Sequence, residues 1–95
     1  MTNLLQPRRI TLSDEVLSQN IGNETVLLDL KGEAYFGLDE VASSIWSLLA
    51  QGCDTHEIVS RLLAEYDVGR ERLEKDVQQL VNKLLEHELA IVDPD

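Results

Sequence analysis

The 95-residue chain is poor in cysteine, proline and aromatic rings: one Cys, two Pro, one Trp, two Tyr and one Phe. A single cysteine makes no internal disulfide and supplies no zinc site of several thiolates. With so few rings the core must be small and aliphatic. Positive charge is also scarce. Eight Lys and Arg stand against 18 Asp and Glu, a net charge of −10. Such a surface repels phosphate backbones and argues against sequence-independent nucleic-acid binding. Long apolar runs are missing too. None approaches the roughly 20 residues that span a bilayer. The start, Met1 to Arg9, has neither the apolar stretch nor the small-residue cleavage site of a secretory signal. The expectation is a soluble, reduced, cytoplasmic protein with no membrane partner.

What is present fits one small domain. At 43% hydrophobic and 27% charged residues, the chain excludes wholesale disorder. Residues 1–13 read as a lead-in, 14–92 as a single domain and 93–95 as a tail.

The first half of the domain reads as strands. Val16–Ile21 is a weak strand ending in a Gly22-Asn23 turn. Glu24 to Leu30 is a stronger one, with Val26, Leu28 and Leu30 on one face and Leu27 and Asp29 on the other. Lys31-Gly32 makes a second tight turn, and strand 33–37 returns with Phe36 and Leu38 inward and Glu33 and Tyr35 outward. Two short turns in succession predict a three-stranded antiparallel meander.

The second half reads as helices. Asp39 caps a helix carrying Ile45, Trp46, Leu48 and Leu49, which ends at Gln51-Gly52. Trp46 is expected to anchor the core. Asp54-Thr-His-Glu57 is a capping-box pattern opening a second helix with Ile58, Val59, Leu62 and Leu63 inward. After Asp67-Val-Gly69, a third helix runs from about Arg70 to Glu88, with Leu73, Val77, Leu80, Val81, Leu84 and Leu85 as its apolar stripe. Leu89–Val92 leaves as a short strand. The fold class is α+β: a three-stranded antiparallel sheet followed by three helices, winged-helix-like in outline.

Catalytic chemistry finds little support. His56 and His87 fall on solvated helix turns, and no His or Asp partner stands beside Cys53. Asp39-Glu40 suits capping and the helix dipole better than acid–base work. Glu86, His87 and Glu88 are adjacent on a helix, so their side chains diverge by about 100° and do not converge on a metal. No glycine-rich phosphate loop occurs. The reading is therefore no enzyme, no metal and no cofactor.

The winged-helix outline raises DNA binding as one alternative. The helices, however, mix Arg61, Arg70, Arg72, Lys75 and Lys83 with at least as many acids, and no clean basic face results. A subunit that docks on another protein through the third helix is a further alternative. The outline favours peptide capture, because the outer strand of a small sheet leaves backbone groups for an extended peptide to pair with. The competing expectation is that the chain's own ends cover that edge.

The stretch Gly32-Glu-Ala-Tyr-Phe-Gly-Leu-Asp-Glu-Val-Ala-Ser-Ser-Ile-Trp-Ser-Leu-Leu49 resembles the PqqD-like family. In that family a strand ending in Y-F/Y-x-L-N/D leads into a helix carrying G/A-x-x-I-W-x-L-L. The match continues through Glu57-Ile58, Leu62 to Tyr66, and Asp76-Val77-x-x-Leu80-Val81-x-x-Leu84, and covers roughly residues 16 to 92. Two positions depart from it: Ala42 stands where glycine is common, and Glu88-Leu89-Ala90 replaces a G-L-L/I ending.

The resemblance implies a RiPP recognition element, which binds the leader segment of a ribosomally made precursor peptide. The Tyr35-Phe36-Gly-Leu38-Asp39 version looks most like the leader-binding proteins of lasso-peptide pathways, whose partners are a leader protease and a macrocyclase. A PqqD-type chaperone for a radical enzyme is the runner-up. The implied site is a groove between strand 33–37 and the third helix. Its candidate residues are Glu33, Ala34, Tyr35, Phe36, Arg72, Leu73, Asp76, Val77 and Leu80. Leu73, Val77 and Leu80 are core candidates as well, and periodicity leaves both roles open.

Overall fold

A computed structural model describes residues 9–93. The elements run β1 (Ile10–Leu12), β2 (Val16–Ile21), β3 (Glu24–Asp29), β4 (Ala34–Leu38), α1 (Glu40–Ala50), α2 (Thr55–Glu65), α3 (Arg70–Glu86) and β5 (Ala90–Val92). The three-stranded antiparallel sheet β2-β3-β4 and the three helices agree with the α+β reading. No helix among the described residues is long and apolar enough to cross a membrane.

Local chemistry sets most boundaries. The Asp39 carboxylate accepts the Ala42 backbone N–H at 2.8 Å and starts α1. At α2 the capping box is complete. Asp54 accepts from the Glu57 N–H at 2.8 Å, and the Glu57 carboxylate accepts from the Asp54 N–H at 3.2 Å. α1 closes with Gly52 at φ +90°, its N–H on Leu49 O and the Cys53 N–H on Leu48 O. That is a Schellman ending, and its left-handed residue favours glycine.

Sheet parity decides what is buried. Leu27 lies opposite Phe36 and Thr25 opposite Leu38. This face turns inward: Thr25, Leu27, Asp29 and Leu38 are buried and Phe36 half-buried. The other face carries Val26, Leu28 and Tyr35 and looks outward. Against the inner face pack Ile45, Trp46 and Leu49 of α1, Ile58, Val59 and Leu62 of α2, and Leu73, Val77, Leu80, Val81 and Leu84 of α3. The core is almost wholly aliphatic, with Trp46 its one buried ring.

Three boundaries differ from the sequence reading. The strand expected at 33–37 occupies 34–38, because Glu33 sits at φ +55° and closes the turn instead of extending it. That turn is held by Asp29, whose carboxylate accepts the Lys31 N–H at 3.1 Å. A Cβ at Gly32 would lie 2.6 Å from the same carboxylate, so any side chain there would make Asp29 shift. Residues 10–12, expected in the lead-in, form β1 and pair antiparallel with β5, with Ile10 buried in the core. β1 and β5 thus cover one another and neither pairs with β4, while residues 1–8, which the expected cover of that edge includes, lie outside the described residues.

The third difference is at the end of α3, which stops at Glu86 and not Glu88. Glu88 takes the left-handed position at φ +59°. Its N–H donates to Leu85 O, and the Leu89 N–H donates to Leu84 O at 2.8 Å. This too is a Schellman ending, built without its usual glycine. A side chain in that conformation carries steric strain that glycine lacks. Glu88→Gly is therefore expected to stabilise the fold by about 1 kcal/mol, the strain relieved less the added freedom of the unfolded chain. Urea unfolding with an unchanged m-value checks this.

Candidate functional site

The candidate site is the edge of β4 where it faces α3, an edge that no strand covers among the described residues. Which backbone groups line that edge follows from one hydrogen bond. The Leu30 N–H donates to Glu15 O at 2.9 Å. This pair continues the β2–β3 register one step beyond Val16–Asp29. Bonded and non-bonded pairs alternate along an antiparallel ladder. The bonded pairs are therefore Glu15–Leu30, Leu17–Leu28, Gln19–Val26 and Ile21–Glu24. Thr25, Leu27 and Asp29 must then turn their N–H and C=O toward β4, where they meet Leu38, Phe36 and Ala34. Tyr35 and Gly37 point theirs the other way, into the open edge.

Beyond that edge lies a concavity of about 290 Å³. Gly37, Leu38 and Asp39 form its strand side, and Val41, Ala42 and Ile45 of α1 form one apolar end. The α3 wall consists of Arg72, Asp76, Gln79, Leu80 and Lys83. These are separated by about one helical turn and make a stripe alongside the core stripe of the same helix. Arg72 and Asp76 pair with each other at 3.8 Å, with side chains 74% and 30% exposed. An ion pair this open is worth only about 0.2–1 kcal/mol, so a ligand can replace either partner. Further along, the Lys83 ammonium lies 5.5 Å over the Phe36 ring, and the His87 ring stacks tilted on Phe36 at 4.7 Å.

The sequence candidates divide accordingly. Arg72, Asp76 and Leu80 line the concavity. Tyr35 is off the lining; its backbone groups face the open edge, and the residue, 74% exposed, has its side chain on the outer sheet face. Ala34 and Phe36 turn their backbone groups to β3, and Phe36 supports the groove only through its ring. Glu33 lies in the turn. Leu73 and Val77 are fully buried, off the lining and within the core. The lining also includes Gly37, Leu38, Asp39, Val41, Ala42, Ile45, Gln79 and Lys83, which the sequence reading did not name as site residues. Gln79 and Lys83 were accessible to it, lying seven and eleven residues beyond Arg72 on the same helical stripe.

Elsewhere, Cys53 is a buried free thiol and His56 is exposed. Among the described residues no three His, Cys, Asp or Glu side chains gather where a metal ion could be held.

The described fold is a three-stranded sheet with one open edge beside a long helix, and it has relatives of known family. The family described as coenzyme PQQ synthesis protein D (PqqD) matches residues 24–90, from β3 to the start of β5. The chain belongs to the PqqD family. Two solved structures are similar to it. One is TbiB1 in complex with the TbiA(beta) leader peptide, at 44% identity and TM-score 0.81, covering 90% of this chain and 99% of that one. The other is lasso peptide synthetase B1 complexed with the leader peptide, at 29% identity and TM-score 0.78, covering 87% and 98%. No curated protein matches the chain.

The division of α3 into core and groove residues has a direct test. Leu73→Ala should cost about 2–5 kcal/mol of stability, as a buried leucine truncation does. Lys83→Ala, on the exposed stripe, should stay within about 0.5 kcal/mol of the parent. Chemical denaturation of both variants measures the contrast.

Proposed function

We propose that the chain is a RiPP recognition element of the lasso-peptide type. It binds the leader segment of a ribosomally made precursor peptide without chemistry of its own and presents it to a leader protease and a macrocyclase. The observation that carries this reading is the open β4 edge facing the α3 groove, in a fold 44% identical to a chain solved with a leader peptide. The leader adds antiparallel to β4 and bonds the outward N–H and C=O groups of Tyr35 and Gly37. Its alternate side chains enter the groove between Leu38, Val41, Ala42 and Leu80. Arg72, Asp76 and Lys83 meet polar or charged leader residues at the rim.

Energetics rank these contacts. A buried large apolar side chain contributes roughly 1.5–3 kcal/mol before ordering costs, against about 0.2–1 kcal/mol for an exposed ion pair. Apolar leader anchors therefore dominate affinity, and the charges select among leaders. Holding the precursor beside an enzyme raises its local concentration there, which is what a non-catalytic partner supplies. The absence of a catalytic step is part of the proposal. Peptide-bond cleavage by the purified protein, lost on Cys53→Ala, would overturn it.

The backbone assignment separates two proline variants. Tyr35→Pro deletes an edge-facing N–H and leaves the β3 ladder intact. A synthetic leader should bind it about two- to tenfold more weakly, the worth of one net hydrogen bond or more. Ala34→Pro instead removes a donor to β3, and its main effect should be on stability. Fluorescence anisotropy with a labelled leader, beside thermal unfolding, reads both. Normal leader binding by a folded Tyr35→Pro variant would remove β4 as the binding edge. In the same assay, added salt should change affinity modestly, and alanine at an apolar leader anchor should cost more than alanine at any leader charge.

A further inference from the structure

Nothing within its own chain calls for glycine at position 37. The glycines with positive φ are Gly22 and Gly52, so Gly37 has backbone angles open to any residue. A Cβ built on it would meet nothing within 4 Å. It sits neither in a turn nor at a bulge but inside β4, in regular register opposite Val26. A glycine inside a strand weakens it, because the unfolded chain gains freedom and no side chain packs. The use left for such a glycine is room for something that approaches closely from outside.

That room lies on the outer sheet face, away from the α3 groove. Phe36 and Leu38 turn inward, so a side chain at 37 would point outward, as that of Tyr35 does. Cross-strand neighbours on this face form two rows. Leu17, Leu28 and Tyr35 make one, and Gln19, Val26 and Gly37 make the next. The first row carries apolar side chains or a ring out to the edge. The second stops short: Val26 is half-buried, and no side chain follows it on β4. The result is a notch floored by the Gly37 backbone, bounded by Val26 across the ladder and Tyr35 two residues along the strand.

We propose that this notch seats a large apolar side chain of the leader. The inference rests on the strand-addition reading of β4 and concerns the leader's other face. Directly opposed residues of an antiparallel pair place their side chains on the same side of the sheet. Leader residues opposite Phe36 and Leu38 therefore enter the groove, and those opposite Tyr35 and Gly37 lie on the outer face. The side chain opposite Gly37 lies over bare backbone and covers Val26 from water. A small residue would leave the notch unfilled, and a charged one would be set against apolar neighbours. The leader is thus read on both faces, by α3 within and at Gly37 without.

The test is a synthetic peptide of the TbiA(beta) leader sequence, the ligand of the 44% identical relative, titrated by fluorescence anisotropy against the full chain. Hydrogen exchange of the Tyr35 and Gly37 amides, followed with and without peptide, reports strand addition separately. Gly37→Val fills the notch. It should raise the urea midpoint with an unchanged m-value, because valine suits a strand better than glycine. It should also weaken the leader at least about tenfold, because the notch no longer admits the side chain. In an alanine scan of the leader, one apolar position should be costly against the parent and nearly free against Gly37→Val. Gln19→Val, at the far end of the same row, should leave binding unchanged. Peptide that protects both amides yet binds Gly37→Val as it binds the parent overturns the notch and leaves strand addition standing. A loss of stability in Gly37→Val, or an equal loss of binding in Gln19→Val, overturns it as well. Peptide that protects neither amide overturns strand addition and the notch together.

Discussion

A strand residue sends its N–H and its C=O to the same side, and its neighbours in sequence send theirs to the other. In a three-stranded meander this leaves no freedom once a single pair is fixed. Here the Glu15–Leu30 bond fixes it, and every later assignment in the sheet follows through the register to Tyr35 and Gly37. The side chains obey the same alternation. Leu27, Phe36 and Leu38 are held inward, while Tyr35 and the glycine-open Gly37 stand outward beside the free edge. A one-residue slip would bury Val26 and Leu28 in place of Leu27 and would also move the edge groups from Tyr35 and Gly37 to their neighbours. Core and open edge are thus two readings of one register.

α3 carries the complementary wall by a similar economy of position. Two stripes run side by side along it. Leu73, Val77, Val81 and Leu84 are sealed in the core, and Arg72, Asp76, Gln79 and Lys83 stand about one position over. Leu80 belongs to both, 6% exposed and yet on the groove lining. The hydrophobic residues that fasten the helix to the sheet therefore also set the distance between groove wall and β4. The width of the groove is set by those buried leucines and valines as much as by the residues that line it.

Much of this was legible in the residues. Caps announced themselves because their chemistry is local: Asp39, and Asp54 with Glu57, each satisfy orphan helix donors within three residues. The Gly22-Asn23 turn and the aliphatic spacings of the helices were equally local. The site was half-legible. Periodicity finds the apolar stripe of α3, but a helix residue at the stripe's margin faces core or groove according to what packs there, so Leu73 and Val77 could not be separated from Leu80. The β1–β5 pairing left almost no trace. Its strands have three residues each and meet across about eighty positions of sequence, where no alternation is long enough to read. Glu33 and Glu88 went unseen for the opposite reason. Left-handed backbone is usually announced by glycine, and here glutamate occupies it twice.

The pairing of β1 with β5 brings the first and last strands into direct register, Ile10 beside Val92, and no residue of either lines the β4–α3 groove. Close termini are the usual condition for tolerating insertion into another chain or circular permutation. A cut or insertion at the β1–β5 ribbon therefore strains a part of the fold that contributes no residue to the β4–α3 concavity.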